Sequence, residues 1–376
     1  MTILADYVWK TSNGFRWKTR VFDNTFKIDK NVTPDFPEWD FNRDYTGKSK
    51  TNETNEANET NETNETNEAN ETNETLSTEM VLTPVFVCND PLRPGYTHPR
   101  HGENFCSGYI VLCDVSYQSK KPHEDCNRHW AKTVFDANKD KQPMFSIKQA
   151  YYIFDPNLRV PMGFPNDKCI REQGVYYGRM GQKQGRGIAE KHMELCLNAG
   201  LNISGMKSNI GPSQWEYNIG FCKGIEAADQ LVVSRYLLER IGESAGVAIT
   251  WSPKPILGEW NGSACHILYS TKYTRCEVEN ETDGYNYIKK TISNLEALHS
   301  EMLLTFSNDN RKRLDGKNDS SMLDKFTWGV GTYNTSVSVP CHVMERKKGY
   351  IIDRRPGADM DPYLTTATIL HADTLK

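Results

Sequence analysis

The sequence predicts an α+β protein of two unequal domains, a small strand-rich N-terminal one and a larger C-terminal one that mixes helices and strands. A chain of 376 residues is longer than one small core serves. The first third holds short β-type runs bounded by turn residues: Tyr7 to Trp9, Trp17 to Phe22, Val81 to Cys88 and Tyr109 to Val115. Beyond them, apolar residues recur at helical spacing and further strand-like runs follow.

The early strands are interrupted from Thr51 to Thr75 by TNETNEANETNETNETNEANETNET, a three-residue repeat with no apolar side chain larger than Ala. Ordering each residue costs about 1–2 kcal/mol, and this tract has no core contact to offset it, so residues 50–79 are expected to be a disordered insertion. The Asn-Glu-Thr triplets match a glycosylation acceptor pattern, but with no secretion signal the match reads as accidental. In the C-terminal part, Gly187 to Ala199 reads as a helix with Ile188, Leu195 and Ala199 on one face and Gly200 as its stop. A longer helix is expected where Ala227, Leu231, Leu238, Ile241 and Ala245 form one stripe, followed by the strand-like AGVAITW and a Pro-Lys-Pro turn.

Composition narrows the class. Hydrophobic residues make up 37% and charged residues 25%, as in a water-soluble globular chain. The repeat carries eight glutamates and no Lys or Arg, so a net charge of −4 leaves the rest at about +4. No basic stripe with interleaved aromatics suggests nucleic acid, and no apolar run approaches membrane-spanning length. The start, MTILADYVWKTSNGFRW, is not a basic segment followed by an apolar one, so a cytoplasmic protein is expected. Ten scattered cysteines without a CxxC pair read as reduced, mostly buried thiols.

Five stretches in order, PEWDFNRDYTG, NDPLRPG, GPSQWEYNIGFCKGIEAADQL, PKPILGEWNGSACHILYSTK and DRRPGADMDPY, resemble the eukaryotic-type (type II) glutamine synthetase family. The resemblance covers nearly the whole chain apart from residues 51–75 and some extra length between Tyr96 and Gly108. It implies an N-terminal β-grasp domain over residues 1–112 and a glutamine synthetase catalytic-type domain over 113–376, a curved antiparallel sheet backed by helices. It also implies a double-ring homo-oligomer with sites shared between neighbouring subunits, and ATP with Mg or Mn as cofactors. In that family ATP phosphorylates the glutamate γ-carboxylate, ammonia displaces the phosphate, and divalent cations clamp the phosphates. Hard cations want oxygen ligands, so the chemistry needs clustered carboxylates.

This chain departs from the family at most of those positions. The Glu-x-Glu strand that aims two carboxylates into one cleft corresponds to FSIKQAYYIF, with Lys148 and Ala150 at the ligand positions. The next ligand corresponds to Asn209 and the last, before DRRP, to Ile352; Glu216 and His266 survive. The family's six ligands sum to about −5, and here Lys148 offsets Glu216 to give about 0. Within about 4 Å of a divalent ion, Lys148 would add roughly 8 kcal/mol of repulsion at an effective dielectric near 20, an upper guide because a lysine can swing away. Mg or Mn and ATP are therefore not expected to bind in the family manner. The Asp that helps bind ammonium and takes its proton is replaced by Asn42, which cannot act as a base. The flap glutamate corresponds to Asp319. Of the substrate-holding arginines, Arg313 and Arg354 match, whereas Tyr333 and Ser338 replace two others and cannot supply a guanidinium fork.

Each survivor has two readings. Glu216 and His266 are a remnant metal site or hydrogen-bonding groups in an old cleft, the second being favoured. Asn261, Gly262 and Ser270 match glutamate- or nucleotide-contact positions, but the fold needs the WNG turn in any case. Arg354 matches an anion-binding position, yet a plain ion pair with neighbouring Asp353 is the simpler reading. Lys148 is a stand-in cation that holds an anion without metal, or a drifted residue; the sequence favours drift. Three functions stay open: a pseudoenzyme that partners or regulates other subunits, including hetero-assembly with active ones; an active glutamate–ammonia ligase with unconventional ligands; and a ligase for another amine.

Overall fold

A computed structural model describes residues 2–12, 14–23, 34–42, 79–93, 106–164, 184–279 and 282–374. The 51–75 repeat and the extra length after Tyr96 lie outside the described residues. The strands form two sheets joined by helices, as an α+β chain of this pattern requires.

The first sheet contains β1 (Thr2–Thr11), β2 (Gly14–Phe22), β3 (Trp39–Asn42), β4 (Glu79–Asn89) and β5 (Cys106–Tyr117), in the order β2-β1-β5-β4-β3. The β1–β5 pair is parallel and the others antiparallel. It is a β-grasp-type sheet buried on both faces of its centre. Ala5, Tyr7 and Trp9 on β1 and Val111, Cys113 and Val115 on β5 enter a small core with Phe22, Phe36, Phe41, Met80 and Leu82. Val8, Ile110 and Leu112 point the other way, into the main core. Period-2 alternation with both faces apolar explains why these runs contain so few polar residues.

The second, curled sheet contains β6 (Met144–Asp155), β7 (Val160–Pro161), β8 (Ile203–Ser208), β9 (Gln214–Lys223), β10 (Ala248–Thr250), β11 (Cys265–Ser270), β12 (Trp328–Val330), β13 (Val337–Val339) and β14 (Ile351–Asp353). Its order is β12-β13-β14-β11-β6-β9-β8, with β7 and β10 also paired to β6. The helices are α1 (Asn127–Ala137), α2 (Arg186–Asn198), α3 (Glu226–Ala245), α4 (Gly284–Ala297), α5 (His299–Thr305), α6 (Cys341–Arg346) and α7 (Pro362–Asp373). One face of the sheet supplies Phe145, Ile147, Tyr151, Trp215, Tyr217, Ile219, Cys265, Ile267, Tyr269, Val337 and Ile351 to the main core. All are odd-numbered, because β6, β9, β11 and β14 pair even residues with even ones beyond the register shift between Phe145 and Ile147, before which Phe145 faces Cys222. The even-numbered residues consequently share the opposite face.

The expected α2 is present, ending at Asn198 with Ala199 as its C-cap and Gly200 at φ +84, a conformation glycine adopts without strain. The longer expected helix is α3, closed by Gly246 at φ +66. Its burial differs from the expected single stripe: every residue from Ala227 to Leu238 is buried, and Ala245 is exposed. The helix packs on β9 and β6 as well as β5, α2 and α7, so its middle turns have no solvent side. Truncating Leu231 to Ala there should cost about 2–5 kcal/mol. The two sheets are tied by charged groups too. Arg93 holds buried Asp6 at 2.9 Å within the first sheet, and Arg240 of α3 approaches the same carboxylate at 3.9 Å.

Candidate functional site

The even-numbered face of the second sheet forms the floor of a cavity of about 560 Å³. Lys148 of β6, Glu216 of β9 and His266 of β11 line it with Arg354, the residue following β14. Registers set the neighbours: Lys148 is the direct partner of His266 on one side and of Asn218 on the other, and Ala150 is the partner of Glu216. Asn209, Asn261, Gly262, Arg313, Asp319 and Tyr333 complete the expected residues found at the cavity.

Other residues singled out from sequence are not brought to it. Ala150 is buried on the cleft face beside Glu216, too short to reach the cavity. Ile352 pairs with Leu268 and Ser338 on the same face, further along the strands. Ser270 is buried and its hydroxyl accepts from Arg275 at 3.1 Å. Asn42 stands exposed on β3, the edge strand of the other sheet.

The side chains at the cavity are held unequally. The Asn261 amide donates to Gln214 Oε1 at 3.1 Å, Gln214 Nε2 donates to Gly262 O at 3.0 Å, and Tyr152 donates its hydroxyl to Asn261 O at 2.8 Å. The WNG turn is thus clamped by the fold itself. Gly262 is required there, since a Cβ would lie 2.6 Å from Arg313 Cγ and 2.7 Å from Pro253 O. Arg313 is buried, donating to Asn310 at 2.8 Å and to the carbonyls of Arg354, Arg355 and Pro356. Burial first, then Arg354, lower it to about 10.

Arg354 corrects an expectation. It is not paired with Asp353, whose carboxylate takes Arg355 at 2.6 Å on the core side. Strand alternation explains this: residues 353 and 355 share one face and 354 points to the other. Arg354 donates Nε to Tyr333 O at 2.8 Å and Nη2 to Asp319 O at 3.4 Å, with its guanidinium 5.2 Å from the Tyr333 ring centre.

Charge dominates the cavity. Lys148, Lys207, Lys254, Lys317, Arg313 and Arg354 face three acids, Glu216, Asp315 and Asp319. Lys207 Nζ lies 3.5 Å from Glu216 Oε1, so the surviving carboxylate is already neutralised. Lys148 is half-buried and makes no hydrogen bond or ion pair with a described residue. Burial lowers it from the usual lysine range; Glu216 opposes that, and Lys207 and Arg354 add to it. His266 lies well below the usual histidine range, first through burial and then through Arg354, Arg313, Lys148 and Lys207, so its imidazole stays neutral. Lys207, Lys254 and Lys317 were missed from sequence. Lys207 had a faint signal, two residues before Asn209 on a strand; the other two lie in loops, and only the tertiary fold turns them inward.

This donor set does not fit a divalent cation. One carboxylate is occupied by a lysine, the neutral imidazole is surrounded by cations, and two ligands are few for an octahedral oxygen-seeking ion. Among the described residues no group of three or more His, Cys, Asp or Glu side chains is placed to hold a metal, and no helix is long and apolar enough to cross a membrane.

Comparison with known proteins places this geometry in context. The family described as "Glutamine synthetase, catalytic domain" matches residues 124–375. A chloroplastic glutamine synthetase of Brassica napus is 33% identical over 377 residues, covering 99% of this chain and 78% of that protein. Glutamine synthetase N-1 of Phaseolus vulgaris is 32% identical over 380 residues, covering 99% and 94%. Glutamine synthetase cytosolic isozyme 1-1 of Arabidopsis thaliana is 32% identical over 378 residues, again covering 99% and 94%.

Proposed function

The chain belongs to the glutamine synthetase family, and we propose that it is a pseudoenzyme, keeping the fold and the cleft without the ATP-dependent ligase chemistry. One observation carries the reading: the two surviving metal-ligand positions, Glu216 and His266, face Lys207 and Lys148. Phosphoryl transfer is catalysed by positioning and by cations that neutralise developing charge, so a cleft that repels cations loses the step itself. Asn42 in place of a base removes a second requirement. Mg or Mn with ATP, the family's cofactors, are not held here in the family manner.

On this reading the chain acts as a partner or regulator of other subunits. Its assembly is a homo-oligomer of the family's kind or a hetero-assembly with active subunits, in the cytoplasm. Its β-grasp unit spans residues 1–112 and its catalytic-type unit 113–376. The test is product formation by purified protein with ATP, magnesium or manganese, glutamate and ammonium. The expected result is no glutamine above a no-enzyme control. Glutamine that disappears in Glu216→Ala would overturn the reading and restore an active ligase.

A further inference from the structure

The cavity has lost its anionic lining without closing. At about 560 Å³ it retains the size of a small-molecule pocket, and it holds cationic donors that the protein itself does not satisfy. We propose that it binds a small multivalent oxyanion directly on Lys148, Lys207 and Arg354, with the Lys148 ammonium supplying positive charge to the cleft and with no metal present. This deepens the pseudoenzyme reading and rests on it.

Three strands converge on the ligand position. Lys148 lies on β6, Lys207 on β8 and Arg354 at the end of β14, all on the cleft face. Lys148 makes no hydrogen bond or ion pair with a described residue. A half-buried ammonium without a partner is costly unless a counter-ion fills the space before it, and drift alone does not account for its keeping a charge there. Arg354 spends Nε and Nη2 on backbone carbonyls, leaving Nη1 without a described partner. Its guanidinium is fixed against Tyr333, so little freedom is lost on binding. Lys207 is 55% exposed, while its partner Glu216 is 7% exposed. Its remaining N–H groups are therefore open to the cavity. His266, directly beside Lys148, can donate a ring N–H to an oxygen.

The acids do not cancel this arrangement. Glu216 is matched by Lys207. Asp315 accepts from the Lys317 backbone at 2.9 Å and from the Ser320 hydroxyl at 3.1 Å. Asp319 is exposed at the rim, its carbonyl accepts from Arg354 and its carboxylate acts on that guanidinium only through space. The charge left facing the centre is positive, and a multivalent oxyanion engages an ammonium and a guanidinium together through charge-assisted hydrogen bonds.

Calorimetric titration of the full chain in EDTA and physiological chloride tests this, with pyrophosphate and citrate as separate probes. Saturable binding of either is expected, and the one that binds shows whether the ligand is phosphate-type or carboxylate-type. Lys148→Gln should weaken it at least tenfold, whereas Lys132→Gln on exposed α1 should leave it unchanged. A cooperative melting transition of ligand-free Lys148→Gln at or above the wild-type temperature would show that the variant folds and that the unpartnered ammonium is a cost. Binding of neither probe, equal binding by Lys148→Gln, or binding that appears only when magnesium is added would overturn the inference. Glutamine production decides the pseudoenzyme reading separately: absence of both glutamine and anion binding removes only this inference.

Discussion

Lys148 and His266 are direct partners across the antiparallel β6–β11 pair, on the cleft face of the sheet. An ammonium thus stands beside an imidazole. Replacing Lys148 by Glu exchanges that cation for an anion, so the His266 titration should move upward while staying below an exposed histidine, because burial is the larger cause. Imidazole NMR across a pH series reads this directly. An unmoved His266 resonance in Lys148→Glu would mean that the two side chains do not interact.

On the pseudoenzyme reading, ligase chemistry would return only with several changes together. Ile352→Glu still leaves Lys148, Ala150 and Asn209, and a catalytic cage acts as a unit. Each single reversion to Glu at 148, 150, 209 or 352 should yield no γ-glutamyl product above background, measured with glutamate, hydroxylamine, ATP and magnesium. Product from any one of them would show that the cage was nearly complete.

Two adjacent arginines should respond very differently to truncation. Arg355 is fully buried, pairs with buried Asp353 at 2.6 Å and contacts His299 at 3.1 Å. Arg355→Ala strands a buried carboxylate and should cost about 3–5 kcal/mol in urea unfolding. Arg354→Ala leaves no charge unpaired in the core and should cost clearly less. Equal losses would contradict the alternation of residues 353 to 355.

Acid should weaken the fold through His192. Its ring is buried against Ser234 O at 2.9 Å, and burial lowers it to about 4. With the folded value below the ordinary 6.5, the unfolded chain takes up the proton first as pH falls. This contribution is complete above about pH 6.5 and is lost between there and about pH 4, amounting to about 3 kcal/mol. The stability of His192→Gln, less stable at pH 7, should fall less steeply across that window. Parallel pH profiles would rule the linkage out.

Deleting residues 51–75 should leave the melting temperature within about 2 °C, since loop length costs only about 0.6 kcal/mol per doubling. A larger fall in a thermal scan, or a change in assembly by light scattering, would show that the tract has structural contacts.

The family and the α+β architecture were legible in the sequence because they rest on local signals. The strand runs reappear inside β1, β2, β4 and β5, and α2 ends close to its glycine. That positions 148, 150, 209 and 352 carry Lys, Ala, Asn and Ile rather than carboxylates is also a fact of the sequence. The tertiary structure decided which groups actually meet. Period-2 geometry turned Arg355 rather than Arg354 toward Asp353. Register put Lys148 against His266. Non-local packing buried the middle turns of α3 on all sides and brought Lys207 to Glu216 and the loop lysines 254 and 317 to the same cavity. Alternation and capping act over a few residues and can be read along the chain. The sign of the charge in the cleft depends on residues far apart in sequence, and only the assembled sheet sets it.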